Sequence, residues 1–209
     1  MNAKRIRALG LAAALVSWSL VVPRLPSRWH PIPHAVVGTA LAALTRRPLG
    51  IRHPAAGARL GLVAAIPIAS VVALSAALPR VRTEMAGREL PDGALQWLLL
   101  GIPLGTVWSE EAAFRGALGT VAADAFGPTG GRLVQAAAFG LSHIADARST
   151  GEPVVPTVLV TGLAGWAFGW LYDRSGGLIA PMLAHLALNE SGAVAALAVQ
   201  RIRSAHGQR

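Results

Sequence analysis

The sequence contains no cysteine, which excludes disulfides, thiolate metal ligands and a cysteine nucleophile. Charged residues are also scarce, since they make up 14% of the 209 residues while apolar residues make up 53%. An average soluble domain has about 25% charged residues. Together with a mean hydropathy of +0.50, this composition is typical of a membrane protein, and the length fits one domain.

Apolar segments recur along the chain and predict an all-α fold, a polytopic transmembrane bundle of about six to eight helices. A helix needs about 20 mostly apolar residues to cross a bilayer. Residues 60–78, 154–171 and 178–199 are clearly long enough alone, whereas residues 32–44 predict a short, tilted or interfacial helix. The remaining segments are residues 9–22, 95–107 and 133–145.

The N-terminal region predicts an uncleaved first helix. Lys4, Arg5 and Arg7 precede the first apolar segment, as in a signal peptide, but no clean small-residue cleavage site follows. The proline-rich segment 23–33 predicts a turn between the first two helices.

The net charge of +9 comes almost wholly from arginine. Short arginine clusters between apolar segments favour anchoring to lipid headgroups and so predict a bilayer partner, whereas nucleic-acid binding would need a basic patch on a soluble domain. Low lysine with high alanine, arginine and glycine is typical of a high-GC bacterium, which predicts a bacterial cell membrane. The clusters are Arg24 and Arg28; Arg46, Arg47 and Arg52; Arg80 and Arg82; Arg201 and Arg203.

The ionisable residues that lie within apolar segments are concentrated in the second half of the chain. Residues 1–90 are interpreted as N-terminal transmembrane helices with no ionisable group inside an apolar segment, residues 94–200 as the core that carries the chemistry, and residues 201–209 as a short basic tail. Gly162, Gly165 and Gly169 predict a seam where helices pack closely.

The stretch W-S-E-E-A-A-F-R-G places three ionisable groups next to an apolar segment. Each would cost roughly 2.5–3.5 kcal/mol facing lipid at a helix centre, so they must face protein, water or the membrane surface. Glu111 and Arg115 have the i,i+4 spacing of an ion pair. Glu110 projects about 100° away and lacks a local counter-charge, which makes it the candidate general base. The alternative places the whole group at a helix end among lipid headgroups.

His143 lies in the segment A-F-G-L-S-H-I-A-D-A, four residues after Phe139 and on the same helix face. A histidine in such a segment either has its ring nitrogens hydrogen-bonded within the protein core or acts as a ligand or proton carrier. Asp146 could orient its ring from one turn beyond, but the sequence favours a loop residue there.

His185 and Asn189 form a second i,i+4 pair in A-P-M-L-A-H-L-A-L-N-E. Such an asparagine either hydrogen-bonds a neighbouring helix or helps a histidine to bind a developing oxyanion. A carboxylate, two histidines and an amide on three helices are the parts of a water-activating hydrolytic site, which predicts an intramembrane catalytic cavity.

These motifs, in this order, resemble the CPBP family of intramembrane proteases, formerly called Abi, which includes CAAX prenyl endopeptidases and bacterial bacteriocin-processing and self-immunity proteins. The resemblance covers about residues 94–200; the first 90 residues are similar only in spanning the membrane. The matching positions are E-E-x-x-x-R at Glu110, Glu111 and Arg115, F-x-x-x-H at Phe139 and His143, and H-x-x-x-N at His185 and Asn189.

The resemblance implies an intramembrane endopeptidase that acts on a peptide or protein substrate at the membrane. Glu110 and His143 would position and deprotonate the attacking water, and His185 and Asn189 would stabilise the oxyanion. Glu111, Arg115 and Phe139 would be supporting residues.

Many members of this family are described as metalloproteases, and the sequence leaves the metal open. H-E-x-x-H is absent, yet Glu110, His143 and His185 are three candidate ligands for Zn²⁺. A metal-free site of glutamate and histidine fits the same residues.

Two other functions compete with proteolysis. One is a non-catalytic immunity or binding protein on the protease fold, against which the intact motif set counts. The other is an ion or proton carrier with Glu110, His143, Asp146 and His185 as its relay. Many carriers contain inverted repeats, and no second E-E-x-x-x-R motif lies in residues 1–90.

Overall fold

The computed structural model describes residues 2–22, 31–45, 49 and 54–207. The described residues form helices and connecting turns with no strand, and seven of their helices have 14 or more residues, which confirms the all-α prediction of six to eight helices. The helices are α1 (Ala3–Val21), α2 (Pro31–Leu44), α3 (Pro54–Ser75), α4 (Pro79–Gly87), α5 (94–119), α6 (Thr120–Ser142), α7 (Ile144–Thr150), α8 (Val154–Ser175) and α9 (Ile179–Gly207).

Some sequence predictions fall outside the described residues. They are the turn over residues 23–30 and the arginine clusters at Arg24, Arg28, Arg46, Arg47 and Arg52. The clusters in α4 and at the end of α9 are described, and their arginines are exposed.

Three helices are long and apolar enough to cross a membrane: α3, α8 and residues Ile179–Ala205 of α9. They correspond to the three segments that the sequence marked as long enough alone. The helix α2, with 14 residues, is a shorter apolar helix, as expected for residues 32–44.

Glycine allows the closest helix contacts. A Cβ added to Gly165 in α8 would lie 2.8 Å from Cδ1 of Phe139, and one added to Gly140 in α6 would lie 2.5 Å from the carbonyl oxygen of Val158. Since only glycine permits such an approach, the predicted packing seam along α8 is present where this helix meets α6.

Helix α5 is wider than an ordinary α-helix. After a short α-helical turn it is π-helical over Trp97–Trp108 and again over Glu111–Gly119. Long π-helical stretches are rare, and short ones are frequent at functional sites. Glu110 lies at the junction between these two stretches, where the chain returns briefly to α-helical geometry.

Helix α6 is broken at Gly127, whose φ of 77° is outside the helical region. Glycine adopts this conformation without steric cost, and Pro128 then begins the next helical arm, as proline does readily. Gly131 packs directly on the backbone of Ala123 at this turn. The second arm therefore runs back along the first and brings Phe139 and His143 towards Glu110.

Candidate active site

A cavity of about 530 Å³ contains all four residues that the sequence marked as catalytic. Glu110 lies on α5, His143 at the end of α6, and His185 and Asn189 on α9, where His185 is buried and Asn189 half-buried. The tertiary structure thus brings the three separate motifs to one site.

Glu111 and Arg115 form the ion pair that their spacing predicted. The Arg115 Nε lies 3.2 Å from Glu111 Oε2, and both side chains have 0% exposure. Such burial rules out the alternative of an arginine and a glutamate among lipid headgroups. A buried pair of this kind requires further partners for its remaining polar atoms.

Glu111 also binds a histidine, which the sequence did not predict. His185 Nδ1 lies 2.7 Å from Glu111 Oε1 and donates to it. Glu111 therefore holds Arg115 with one oxygen and His185 with the other. Because Nδ1 is engaged, Nε2 is the ring nitrogen of His185 that is left for the cavity.

Glu110 has the opposite surroundings, since 29% of its side chain is exposed. Its Oε2 atom lies 3.8 Å from His185 Nε2 and makes no hydrogen bond in the described part of the chain. This separation is too long for a direct hydrogen bond, and Oε2 itself is buried. The exposed part of the Glu110 side chain, which lines the cavity, is therefore the part that a water can reach.

His143 lies at a kink, not within a continuous helix as the apolar segment predicted. It ends α6 with φ −88° and ψ 2°, and α7 begins at the next residue. The ring still lies over Phe139, with 4.8 Å between centroids. Its Nδ1 donates to the carbonyl oxygen of Phe139 at 2.8 Å, so Nε2 carries the lone pair of the neutral ring.

Asp146 lies in the short helix α7, so its expected position in a loop is wrong. It lines the cavity. The two hydroxyls bound to Asp146, those of Ser149 and Thr150, donate to its backbone carbonyl.

Two phenylalanines enclose the buried charges. The Arg115 guanidinium lies 4.1 Å from the centroid of Phe139 and 5.1 Å from that of Phe168. Phe168 also stacks on His185 at 4.9 Å with 22° between the planes. Cation–π contact stabilises a desolvated guanidinium. Sequence analysis identified Phe139 but missed Phe168, which belongs to no short motif.

His34 corrects the proposed division of the chain. It lies in α2 within residues 32–44, which the sequence interpretation had treated as free of ionisable groups, and it lines the same cavity as Glu110. The sequence does contain a sign that His34 is unusual, because it is the only ionisable residue in the apolar helix α2. Residues from α1 also line this cavity, so the first 90 residues help to build the site.

The candidate metal ligands line one cavity without forming a metal site. Among the described residues, no group of three or more His, Asp or Glu side chains is arranged to hold a metal ion. The Nδ1 atoms of His185 and His143 are bound to Glu111 and to the Phe139 carbonyl, which leaves the Nε2 atom of each ring for the cavity. In these positions Glu110, His143 and His185 do not form a three-ligand zinc centre, and no chemical step below is assigned to a metal.

Comparison with known families agrees with the motifs. Residues 92–190 match the model of the Rce1-like type II CAAX prenyl endopeptidase family. The match covers just under half of the chain. The Rce1-like match contains every motif position and confirms the resemblance found in the sequence. Searches of curated proteins and of solved structures find no match. Similarity to a membrane protease family over residues 92–190 and three helices long and apolar enough to cross a membrane both indicate an integral membrane protein.

Proposed function

We propose that this protein is an intramembrane endopeptidase that hydrolyses peptide bonds with a water activated by Glu110. The observation that carries the proposal is the Glu110 carboxylate, which lines the cavity with 29% of its side chain exposed and whose Oε2 has no hydrogen-bond partner among the described residues and lies 3.8 Å from His185 Nε2. Every other ionisable motif residue beside it is buried or engaged, so Glu110 is the group that is free to take a proton.

Glu110 removes a proton from the water as the water oxygen attacks the substrate carbonyl. His143 helps to orient that water through Nε2, because its Nδ1 is bound to the Phe139 carbonyl. The C–N bond of the tetrahedral intermediate then breaks and the amine leaves with one added proton, so that over the whole step the proton removed from the water ends on the amine. No serine or cysteine nucleophile takes part, so no covalent intermediate forms.

His185 and Asn189 bind the developing oxyanion. Protonated His185 donates from Nε2, while Nδ1 stays bound to Glu111. Asn189 lines the cavity one helical turn later and offers its amide N–H groups. Donors held in advance in a low-dielectric site stabilise such an anion strongly. Glu111, Arg115 and Phe139 fix the position of His185.

The substrate is a peptide or protein at the membrane, and the protein resides in a bacterial cell membrane. Family resemblance alone supports a prenylated C-terminal tail as one substrate class. Processing of an unprenylated bacterial peptide is the other, and a bacterial host favours it.

The test is mass spectrometry of new peptide ends after incubation of wild type and Glu110→Gln in lipid nanodiscs. Both proteins receive prenylated and unprenylated peptides, with and without a chelator. We expect cleavage by wild type alone, unchanged by the chelator. Prenylated and unprenylated products identify the substrate class directly.

Other outcomes separate the competing functions. If neither wild type nor Glu110→Gln cleaved any peptide, the result would favour the immunity or binding function. Loss of proton flux in Glu110→Gln, with no effect on cleavage, would favour the carrier. Cleavage that the chelator abolishes and Zn²⁺ restores would contradict the metal-free mechanism.

A further inference from the structure

A second cavity of about 330 Å³ adjoins the first. It lies between α2 and the first part of α5 and includes Asp92, Gln96 and Trp97. Among the described residues, the two cavities share His34, Gly105, Thr106 and Glu110. A peptide that extends from one cavity into the other must therefore pass His34 and Glu110.

His34 lies on the inner face of α2. Pro31, His34, Gly38 and Ala42 have the i, i+3, i+7, i+11 spacing of one helix face, and the other three are buried. His34 itself is partly buried and reaches the cavities. An ionisable residue on the inner face of an apolar helix is by itself a candidate for function.

Helix α2 is held firmly against the turn of α5 that carries Glu110. A Cβ on Gly38 would lie 2.6 Å from the backbone oxygen of Ser109, and one on Gly105 would lie 3.0 Å from Cα of Pro31. Trp108 Nε1 also donates to Thr39 Oγ1 at 2.8 Å. These contacts lie on both sides of His34 along the helix, so its position relative to Glu110 is fixed. His34 and Glu110 both line the boundary between the two cavities.

We propose that His34 is a further catalytic residue, the general acid that protonates the departing amine, and that the peptide runs through both cavities with its scissile bond at their boundary. This rests on the proposed function.

The water oxygen bonds to the carbonyl carbon and its proton goes to Glu110. The C–N bond then breaks, and the amine nitrogen takes a proton from the protonated imidazole of His34. Glu110 passes its proton to His34 and restores both groups. The products are one carboxylic acid and one amine.

Comparing cleavage of a peptide amide with cleavage of an activated ester distinguishes a general acid from a residue with a structural role. An aryl ester with the same acyl segment as the cleaved peptide releases a phenolate that leaves without protonation. We expect His34→Gln to lower kcat on the peptide by about a hundredfold and to change kcat on the ester less than threefold. Ester activity also shows that the variant is folded. Glu110→Gln should lose both activities.

Thr39→Val is the matched control, because it removes a contact of α2 without touching either cavity. It should alter both activities by the same small factor. Equal losses of peptide and ester cleavage in His34→Gln would make His34 structural, and unchanged peptide cleavage would remove its role; both overturn the inference. Wild type inactive on both substrates would overturn the proposed function as well.

Discussion

Glu110 and Glu111 are adjacent in the sequence but lie in opposite surroundings. Glu111 belongs to a closed side, formed by Glu111, Arg115 and His185, where each charge has a partner and the side-chain exposure is 0–5%. Glu110 belongs to an open side, which it forms with His143 and Asn189 on the cavity wall. A closed, paired cluster stabilises geometry, and an open, unpaired carboxylate can react. The same residue type is therefore buried in an ion pair at one position and open to the cavity at the next.

The largest effect on activity should come from Glu110→Gln. We expect kcat to fall by about 10²–10⁴-fold, the usual contribution of a general base. The thermal midpoint should stay near that of wild type, because Oε2 has no hydrogen bond to lose. Peptide cleavage and thermal unfolding in the same nanodiscs check both parts. A large fall in the midpoint would show that Glu110 is structural.

Glu111→Gln should have the largest effect on stability. It leaves the buried Arg115 without a counter-charge, and breaking a buried ion pair costs about 3–5 kcal/mol. Reversible unfolding in detergent measures the loss. Glutamine can still accept from His185, so activity per folded molecule should fall far less than in Glu110→Gln.

Glu111→Gln with Arg115→Met is the control for that charge effect. Removing both charges should recover most of the lost stability, since replacement of buried ion pairs by apolar groups is often neutral. A double variant no more stable than Glu111→Gln alone would show that unpaired charge is not the cause.

Gly165→Ala should have an intermediate effect. Its Cβ would come within 2.8 Å of Cδ1 of Phe139, whose ring packs on Arg115. Overpacking of this kind costs about 1–3 kcal/mol. The matched control is Gly192→Ala in α9, where a Cβ meets nothing within 4 Å. It should be neutral or stabilising in the same thermal unfolding assay; equal losses in the two variants would contradict the contact argument.

Asp173→Asn should have the smallest effect. Its Oδ2 lies 3.2 Å from Arg132 Nε, but the Asp173 side chain is 48% exposed. Exposed ion pairs contribute about 0–1 kcal/mol, so the thermal midpoint should shift by only a few degrees. A loss as large as that of Glu111→Gln would mean that exposure does not separate the two ion pairs.

Much of the site could be predicted because its motifs are local. The i,i+4 spacing of Glu111 and Arg115 predicted their ion pair, and that of Phe139 and His143 predicted their ring contact. Such pairs depend on helix geometry within one turn. Phe168 and His34 were missed because each reaches the site from another helix, where no short pattern links it to the motifs.

The sequence by itself determined the membrane class, the three helices long and apolar enough to span a bilayer and the set of motif residues, since hydropathy and helical spacing are local properties of the chain. Only the tertiary structure decided which glutamate is closed and which is open. That choice depends on His185, 74 positions from Glu111, on the reversal at Gly127 and on the packing of α2 against α5. Contacts between distant segments follow from how all the helices fit together, and no local pattern of residues encodes that fit.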